Sequence, residues 1–320
     1  MRARHLLVAL LAAMPLAAAA QSAYPNKAIK IVVGFPPGGA SDVAARTVGA
    51  KMAERLGQPM IVENRAGAAS NIGSELVAHS PADGYTLLLG TISLSVNPSL
   101  YPKLGYDALK DFEPVAQVCS SPFLLVVHPA TPYRTLADLL SAARAAPGPL
   151  HYATAGSGSG SHLFMEYFAS AAGVKLQAVP YKGAAPAMND VLAGAVPITF
   201  DNIITTLPLY KAGRLRALAI SSRTRSAIAP EVPTLLELGV ANYEGNAWFG
   251  FFAPAGSPPD VVRRLNEETQ TALKDPQVRE RLIALGCEPV LTTPAEFGRF
   301  FRAEIDKWGK VVRDSKMQVE

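Results

Sequence analysis

The chain has 320 residues, 49% hydrophobic and 18% charged, with 30 Lys and Arg against 26 Asp and Glu for a formal net charge of +4. Two of those arginines, Arg2 and Arg4, open the chain, and no basic stripe interleaved with aromatics follows, so nucleic acid is not expected as a partner. Beyond the N-terminus no apolar run reaches membrane-spanning length, and the remaining chain is long enough for a large core or two domains.

Arg2 and Arg4, the apolar run from Leu6 to Ala13, and Ala18-Ala19-Ala20 before Gln21 read as the three parts of a secretory signal peptide, residues 1–20. No cysteine adjoins the cleavage point, so a lipid anchor is not expected and a mature periplasmic chain is. Next, Ile29–Val33 reads as a strand, and Ala44, Val48, Met52 and Leu56 recur every four residues on a helix. Met60–Glu63 is a second strand, Asn71–His79 a helix and Tyr85–Gly90 a third strand, announced by Asp83-Gly84. Val115–Val127 is extended and longer than a usual strand. Alternation then resumes: Leu136–Ala145 helix, His151–Ala153 strand, Ser161–Ala171 helix, Leu176–Pro180 strand, Ala184–Ala193 helix and Ile198–Phe200 strand. A second extended run, Trp248–Ala253, precedes helices that start near Ser257–Asp260 and end in an amphipathic stretch, Phe297–Val312.

Alternating strands and helices imply an α/β fold with largely parallel sheets. Two long extended runs bracketing a βα block suggest two α/β lobes joined by two crossing strands, with one large doubly wound sheet as the alternative. The first lobe is expected to be discontinuous, residues 21–121 with 248–320, and the second to span 122–247. Cys119 and Cys287 lie far apart in sequence. An export compartment permits a disulfide, but sequence alone leaves a bond and two buried thiols equally open. The five histidines are scattered and no Cys/His cluster has metal-ligand spacing, so neither a metal nor another cofactor is expected. Arg214, Arg216, Arg223 and Arg225 read as a solvated surface.

Two glycine-rich strand-to-helix turns carry the functional signal: Gly34-Phe35-Pro36-Pro37-Gly38-Gly39-Ala40-Ser41-Asp42 and Thr154-Ala155-Gly156-Ser157-Gly158-Ser159-Gly160-Ser161-His162. Such turns direct free backbone N–H groups and the positive helix end at one place, which suits an anion. A P-loop requires Lys-Ser/Thr after its last glycine, and a dinucleotide fingerprint requires a different glycine spacing and a later acid; neither is met. Ser159, His162 and Asp201 are triad residue types. Yet a nucleophile elbow centres its serine between glycines two residues away, and Ser159 has Ser157 and Ser161 there. Ser41 and Asp201 are candidate helix caps, and Asp42 is expected to offset a helix dipole. Phe35 can cover an apolar part of a ligand. Three further stretches, Asn64–Asn71 (with Ala68 and Asn71), Thr91-Ile92-Ser93 and Asp201-Asn202, lie at strand ends and can line a cleft, where open α/β sheets bind ligands. Arg65 is the nearest candidate cation.

In order along the chain, Tyr24-Pro25, Gly34-Phe35-Pro36-Pro37-Gly38-Gly39, Val62 to Ala68, Asn71-Ile72-Gly73, Asn97 to Tyr101, Tyr152 to Leu163, Val179 to Gly183 and Trp248-Phe249-Gly250 resemble the Bug family. These are the extracytoplasmic solute-binding proteins of tripartite tricarboxylate transporters, and the likeness covers essentially the whole mature chain. It implies a two-lobed, type II-like periplasmic binding protein, not an enzyme, which closes on a small carboxylate and delivers it to membrane permease subunits. A monomer is expected. The resemblance places the ligand carboxylate between Phe35–Ser41 and Thr154–His162, with Asp201 on the far wall. The site residues expected on these grounds are Phe35, Gly38, Gly39, Ala40, Ser41, Ala68, Asn71, Thr91, Thr154, Gly158, Ser159, Ser161, His162 and Asp201. Ala66, Ala69-Ser70 and Gly160-Ser161 depart from the commonest pattern, so ligand identity does not transfer. An exported serine hydrolase and a ligand sensor for a signalling receptor are the competing readings.

Overall fold

A computed structural model of the chain describes residues 24–314 apart from 242 and 244. The signal peptide assigned to residues 1–20 lies outside the described residues. The first βα block runs β1 (Ile29–Val33), α1 (Ala40–Leu56), β2 (Met60–Asn64), α2 (Asn71–Ala78), β3 (Thr86–Thr91) and α3 (Ile92–Leu100). β4 (Phe112–Val127) leads to α4 (Leu136–Ala145), β5 (Leu150–Thr154), α5 (Gly160–Ala172), β6 (Leu176–Pro180), α6 (Ala184–Leu192), β7 (Ile198–Asn202), α7 (Ile203–Lys211) and β8 (Arg216–Ile220). β9 (Asn246–Pro254), α8 (Pro259–Lys274), α9 (Pro276–Ala284), β10 (Glu288–Pro289) and α10 (Pro294–Asp314) follow.

The strand order is β2-β1-β3-β9-β4-β7-β5-β6. β1 is parallel to β2 and β3, and β5 to β6 and β7, as the alternation predicts. Between these triads the order changes. β9 runs antiparallel to both β3 and β4, and β7 and β8 run antiparallel to β4. β4 therefore pairs with β9 from Phe112 to Pro122 and with β7 from Phe123 to Val127. The chain crosses where Pro122 faces Asn246.

Each side has its own apolar filling. Ile29, Ile31, Val33, Val48, Met52 and Leu87 pack with Leu265 and Leu282 on the β1 side. Tyr152, Phe164, Phe168, Phe200 and Leu218 pack on the β5 side. The face of α1 that the four-residue spacing marked is the buried one, and Gly57 ends this helix at φ 65°, its N–H donating to Ala53 O. Helix α10 joins the β5-side filling to a further cluster on the β1 side, which also holds Val32 and Leu88. Phe297 and Phe301 pack against Trp248 and Phe252, whereas Trp308, further along, meets the rings of Phe164 and Tyr167 at 5.4 and 5.9 Å. Between them the buried Glu304 accepts from both indoles through Oε2, from Trp248 at 3.2 Å and Trp308 at 2.7 Å.

Cys119 and Cys287 are joined in a disulfide, with a Cα separation of 5.5 Å. It ties β4 to the segment after α9, where β10 pairs with Ser120 and Cys119. Arg216 departs from the solvated surface expected of it. It is half-buried in β8 and donates to the carbonyls of Pro129, Thr131 and Tyr133, because a guanidinium fork can satisfy three loop acceptors at once.

The disulfide links residues 168 apart in sequence, so its loss frees a large loop in the unfolded chain. We expect the Cys119→Ala/Cys287→Ala variant to lose ~3 to 5 kcal/mol of unfolding free energy. Urea titration checks this: reductant should lower the wild-type midpoint and leave that of the variant in place.

Candidate functional site

One cavity lies between the two parallel triads. Its wall is built from the C-terminal ends of strands and the first residues of the helices that follow them: Gly39, Ala40 and Ser41 at α1, Thr91 to Ser93 at α3, Ser159 to Ser161 at α5, Ala184 and Ala185 at α6, and Asp201 and Asn202 at β7 and α7. Five helix N-termini thus meet at one space. Each carries roughly half a positive charge from its unpaired N–H groups. Phe35, Phe123 and Phe249 supply apolar surface, and neither lysine nor arginine is among the lining residues.

The first loop is held by an ion pair set behind it. Asp42 accepts from Gly38 N at 3.0 Å and from Asn64 Nδ2 at 3.0 Å, and pairs with Arg46 at 2.9 Å. Asn64 Nδ2 also donates to Phe35 O. Burial opposes the charge of Asp42, but the hydrogen bonds from Arg46, the Gly38 N–H and Asn64 outweigh it and hold the carboxyl below its ordinary value. Asp42 thus shapes the loop rather than only offsetting a dipole. Ser41 is not the helix cap; that position is Gly39, without a side-chain cap bond. Ser41 is left on the cavity wall.

Gly34 is where the backbone is approached most closely: a Cβ there would lie 1.8 Å from Ser70 Oγ. Ser70 ends a turn in which Ala68, Ala69 and Ser70 all take positive φ, at 46°, 50° and 76°. Asn97 holds this turn, donating to Ala69 O and Asn71 Oδ1, while Tyr106 donates to the same Asn71 oxygen.

The second loop is a triangle of hydroxyls. Thr154 Oγ1 lies 3.0 Å from Ser159 Oγ and 3.1 Å from Ser161 Oγ, and the two serine oxygens are 3.0 Å apart. Ser159 caps α5 by accepting from His162 N, and Ser161 Oγ accepts from Ala155 N at 2.8 Å. His162 Nδ1 accepts from Gly158 N at 3.1 Å, which puts the neutral ring's proton on Nε2. The imidazole is turned toward backbone, and the hydrogen bond that Ser159 Oγ makes to position 162 is to the main chain, not to a ring nitrogen.

On the far wall Asp201 is buried and accepts from Thr205 Oγ1 at 3.0 Å. Burial, the largest influence, pushes its carboxyl above the ordinary value, against hydrogen bonds from the Asn202 backbone and Thr205. The cap expected of Asp201 is made by its neighbour: Asn202 Oδ1 accepts from Ile204 N at 3.0 Å. Among the residues expected from sequence, Phe35, Gly39, Ala40, Ser41, Thr91, Ser159, Ser161 and Asp201 line the cavity. Gly38, Ala68, Asn71, Thr154, Gly158 and His162 are not among its lining and stand behind it, in the hydrogen bonds and turn just described. Arg65 pairs with Glu63 on β2 and is not among the lining residues either. Sequence reasoning missed Phe123 and Phe249, whose signal was their place at the crossing strands, and Ala184-Ala185, where Gly183 at φ 125° precedes the helix.

The profile of the Tripartite tricarboxylate transporter family receptor (TctC) matches residues 44–317. The chain belongs to that family. It is 40% identical to Protein BugT of Bordetella pertussis over 294 residues, 91% of this chain and 90% of that protein. Among solved structures it is similar to R. palustris Rpa4515 with adipate, at 37% identity and TM-score 0.89, and to MatC of Rhodopseudomonas palustris with bound malate, at 33% identity and TM-score 0.86. These alignments cover 93% and 90% of this chain and 100% of each of those. The two-lobed receptor fold is therefore that of the family. Among the described residues no His, Cys, Asp or Glu grouping could hold a metal ion, and no helix is long and apolar enough to cross a membrane.

Burial pushes the His162 imidazole down from 6.5 to about 4. Between those values the unfolded chain binds a proton that the folded chain refuses, so this contribution is complete above pH 6.5 and is lost as pH falls toward 4. We expect unfolding free energy to drop by on the order of 3 kcal/mol across that window through this group. His162→Asn, which can still accept from Gly158 N, should flatten that part of a pH series of urea midpoints.

Proposed function

We propose that this chain is an extracytoplasmic receptor that captures a small organic carboxylate by hinge closure and delivers it to the membrane subunits of a tripartite tricarboxylate-type transporter. The observation that carries the reading is the convergence of five helix N-termini on a cavity with no lysine or arginine in its lining. An anion there meets backbone N–H dipoles and hydroxyl donors. Such donors hold a carboxylate without a fixed full positive charge, which keeps release within reach. Adipate in Rpa4515 and malate in MatC support a carboxylate as the ligand class.

The protein acts without catalysis, as a monomer in the periplasm, with residues 1–20 as the export signal. Its lobes are residues 21–121 with 248–320, and 122–247. The Phe35–Ser41 loop approaches the ligand from the first lobe and the Ser159–Ser161 turn from the second. A ligand touching both binds the closed arrangement better than the open one and shifts the population toward it. Where the faces meet, there is little room to spare: a Cβ at Gly183 would lie 2.8 Å from Pro36 Cγ, and one at Gly158 would lie 3.1 Å from Ala69 Cβ. The orientation of the His162 ring toward backbone supports binding over serine hydrolysis.

A thermal-shift screen of residues 21–320 against mono-, di- and tricarboxylates, amino acids and uncharged solutes tests this. A ligand at ~100 times its dissociation constant adds ~2.7 kcal/mol to the folded state, and we expect carboxylates alone to do so. Stabilisation only by uncharged solutes, or stoichiometric labelling by a serine-directed probe with loss of esterase activity, overturns the reading. Gly39→Val puts a branched side chain on the wall at α1, where the added Cβ meets nothing closer than Pro36 O at 3.8 Å. We expect it to abolish binding while shifting the melting temperature of the free protein by only a few degrees.

A further inference from the structure

Asn202, in the Asp201-Asn202 stretch that the sequence places at a strand end, lines the cavity and is only 3% exposed. Its amide has no freedom to flip. Oδ1 accepts from Ile204 N at 3.0 Å, and a backbone N–H can only donate, so oxygen must face the helix. Ser121 Oγ, on β4, donates to the same oxygen at 2.9 Å. Nδ2 thereby lies across Cγ from that oxygen, and it is a buried donor with no hydrogen-bond partner. Ser74 Oγ and Asn97 Oδ1 share that condition, but Asn202 is the one of the three that lines the cavity. A buried donor left unpaired is costly, whereas the same donor met by an acceptor is not.

The neighbouring group narrows the acceptor. Asp201 is the single ionisable residue in the lining. A second ligand carboxylate at this corner would face that carboxyl, and a bare carbonyl could accept from Nδ2 but offer Asp201 nothing if it is ionised. A hydroxyl oxygen can accept from one and donate to the other. We propose that Asn202 is a specificity-determining residue, whose Nδ2 donates to a hydroxyl oxygen of the ligand, so that the receptor prefers hydroxycarboxylates over the corresponding deoxy acids. This rests on the carboxylate reading given above.

The test is calorimetric titration of residues 21–320 with matched acids that differ by one hydroxyl: malate against succinate, 3-hydroxybutyrate against butyrate, and 3-hydroxybenzoate against benzoate. We expect the hydroxylated member of at least one pair to bind about tenfold more tightly, the worth of one neutral hydrogen bond. Asn202→Asp keeps an acceptor for Ile204 N and Ser121 but removes the donor, and Asn202→Ser keeps a capping hydroxyl without adding charge. In both, that preference should fall below about threefold, and the ratio within a pair cancels any uniform loss of affinity. Equal affinities within every pair, or a preference undiminished in both variants, overturns the role of Asn202 and leaves the receptor reading standing. Failure of every acid to bind the wild-type protein overturns the carboxylate reading and this inference together.

Discussion

The structure depends on one strand serving two sheets. β4 gives its first eleven residues to β9 and its last five to β7, so the sheet hydrogen bonding runs unbroken from one parallel triad to the other. Both triads are parallel and are flanked by this antiparallel crossing, and both place their strand C-termini toward the same space. Five of the six helices that follow these strands, all but α2, begin on the cavity wall. The concentration of helix N-termini is therefore a consequence of topology before it is a property of any residue. Pro122 and Asn246 face each other where the crossing strands pass from one side to the other.

An anion site made this way has its own electrostatic requirements. The acids near it must be neutralised or set apart. Asp42, at the start of α1, is bound to Arg46, Asn64 and the Gly38 N–H, and its charge is absorbed into the scaffold that shapes the loop. Asp201 remains on the wall, and its burial raises the cost of ionisation. The hydroxyl triangle of Thr154, Ser159 and Ser161 is adaptable by comparison, since each oxygen can donate or accept as a ligand demands. A wall of fixed backbone donors, rotatable hydroxyls and three phenylalanines sets size and polarity more sharply than it sets charge number.

Much of this was legible in the sequence because local chemistry and tertiary role agreed. Apolar runs followed by glycine, proline and serine marked the loops after β1 and β5, and the two long extended runs marked the crossing. Agreement failed where a residue served the wider structure. Helices α3 and α7 contain Pro98 and Pro208, each in the later part of its helix, and a proline inside a nine-residue helix hides the helical pattern from the sequence. Asp201 and Asn202 are both good caps, and periodicity could not say which would turn toward the helix. Cys119 and Cys287 are 168 residues apart, so their bond follows from the pairing of β10 with β4 and from nothing nearby in the chain. Glycine would take positive φ freely at the positions of Ala69 and Ser70; here Asn97 and Tyr106 supply the bonds that hold the turn.

Helix α10 reaches from one apolar filling to the other, and the sequence contains two tryptophans. Both donate to the same oxygen of Glu304: Trp248 from the crossing strand, Trp308 from the far half of the helix. Ultraviolet emission from indole in this protein consequently has a single address, the joint between the halves, with each ring held by a buried carboxylate and packed edge-on against aromatic neighbours. Indole emission therefore reports on the contact where α10 joins the two fillings, without any label attached.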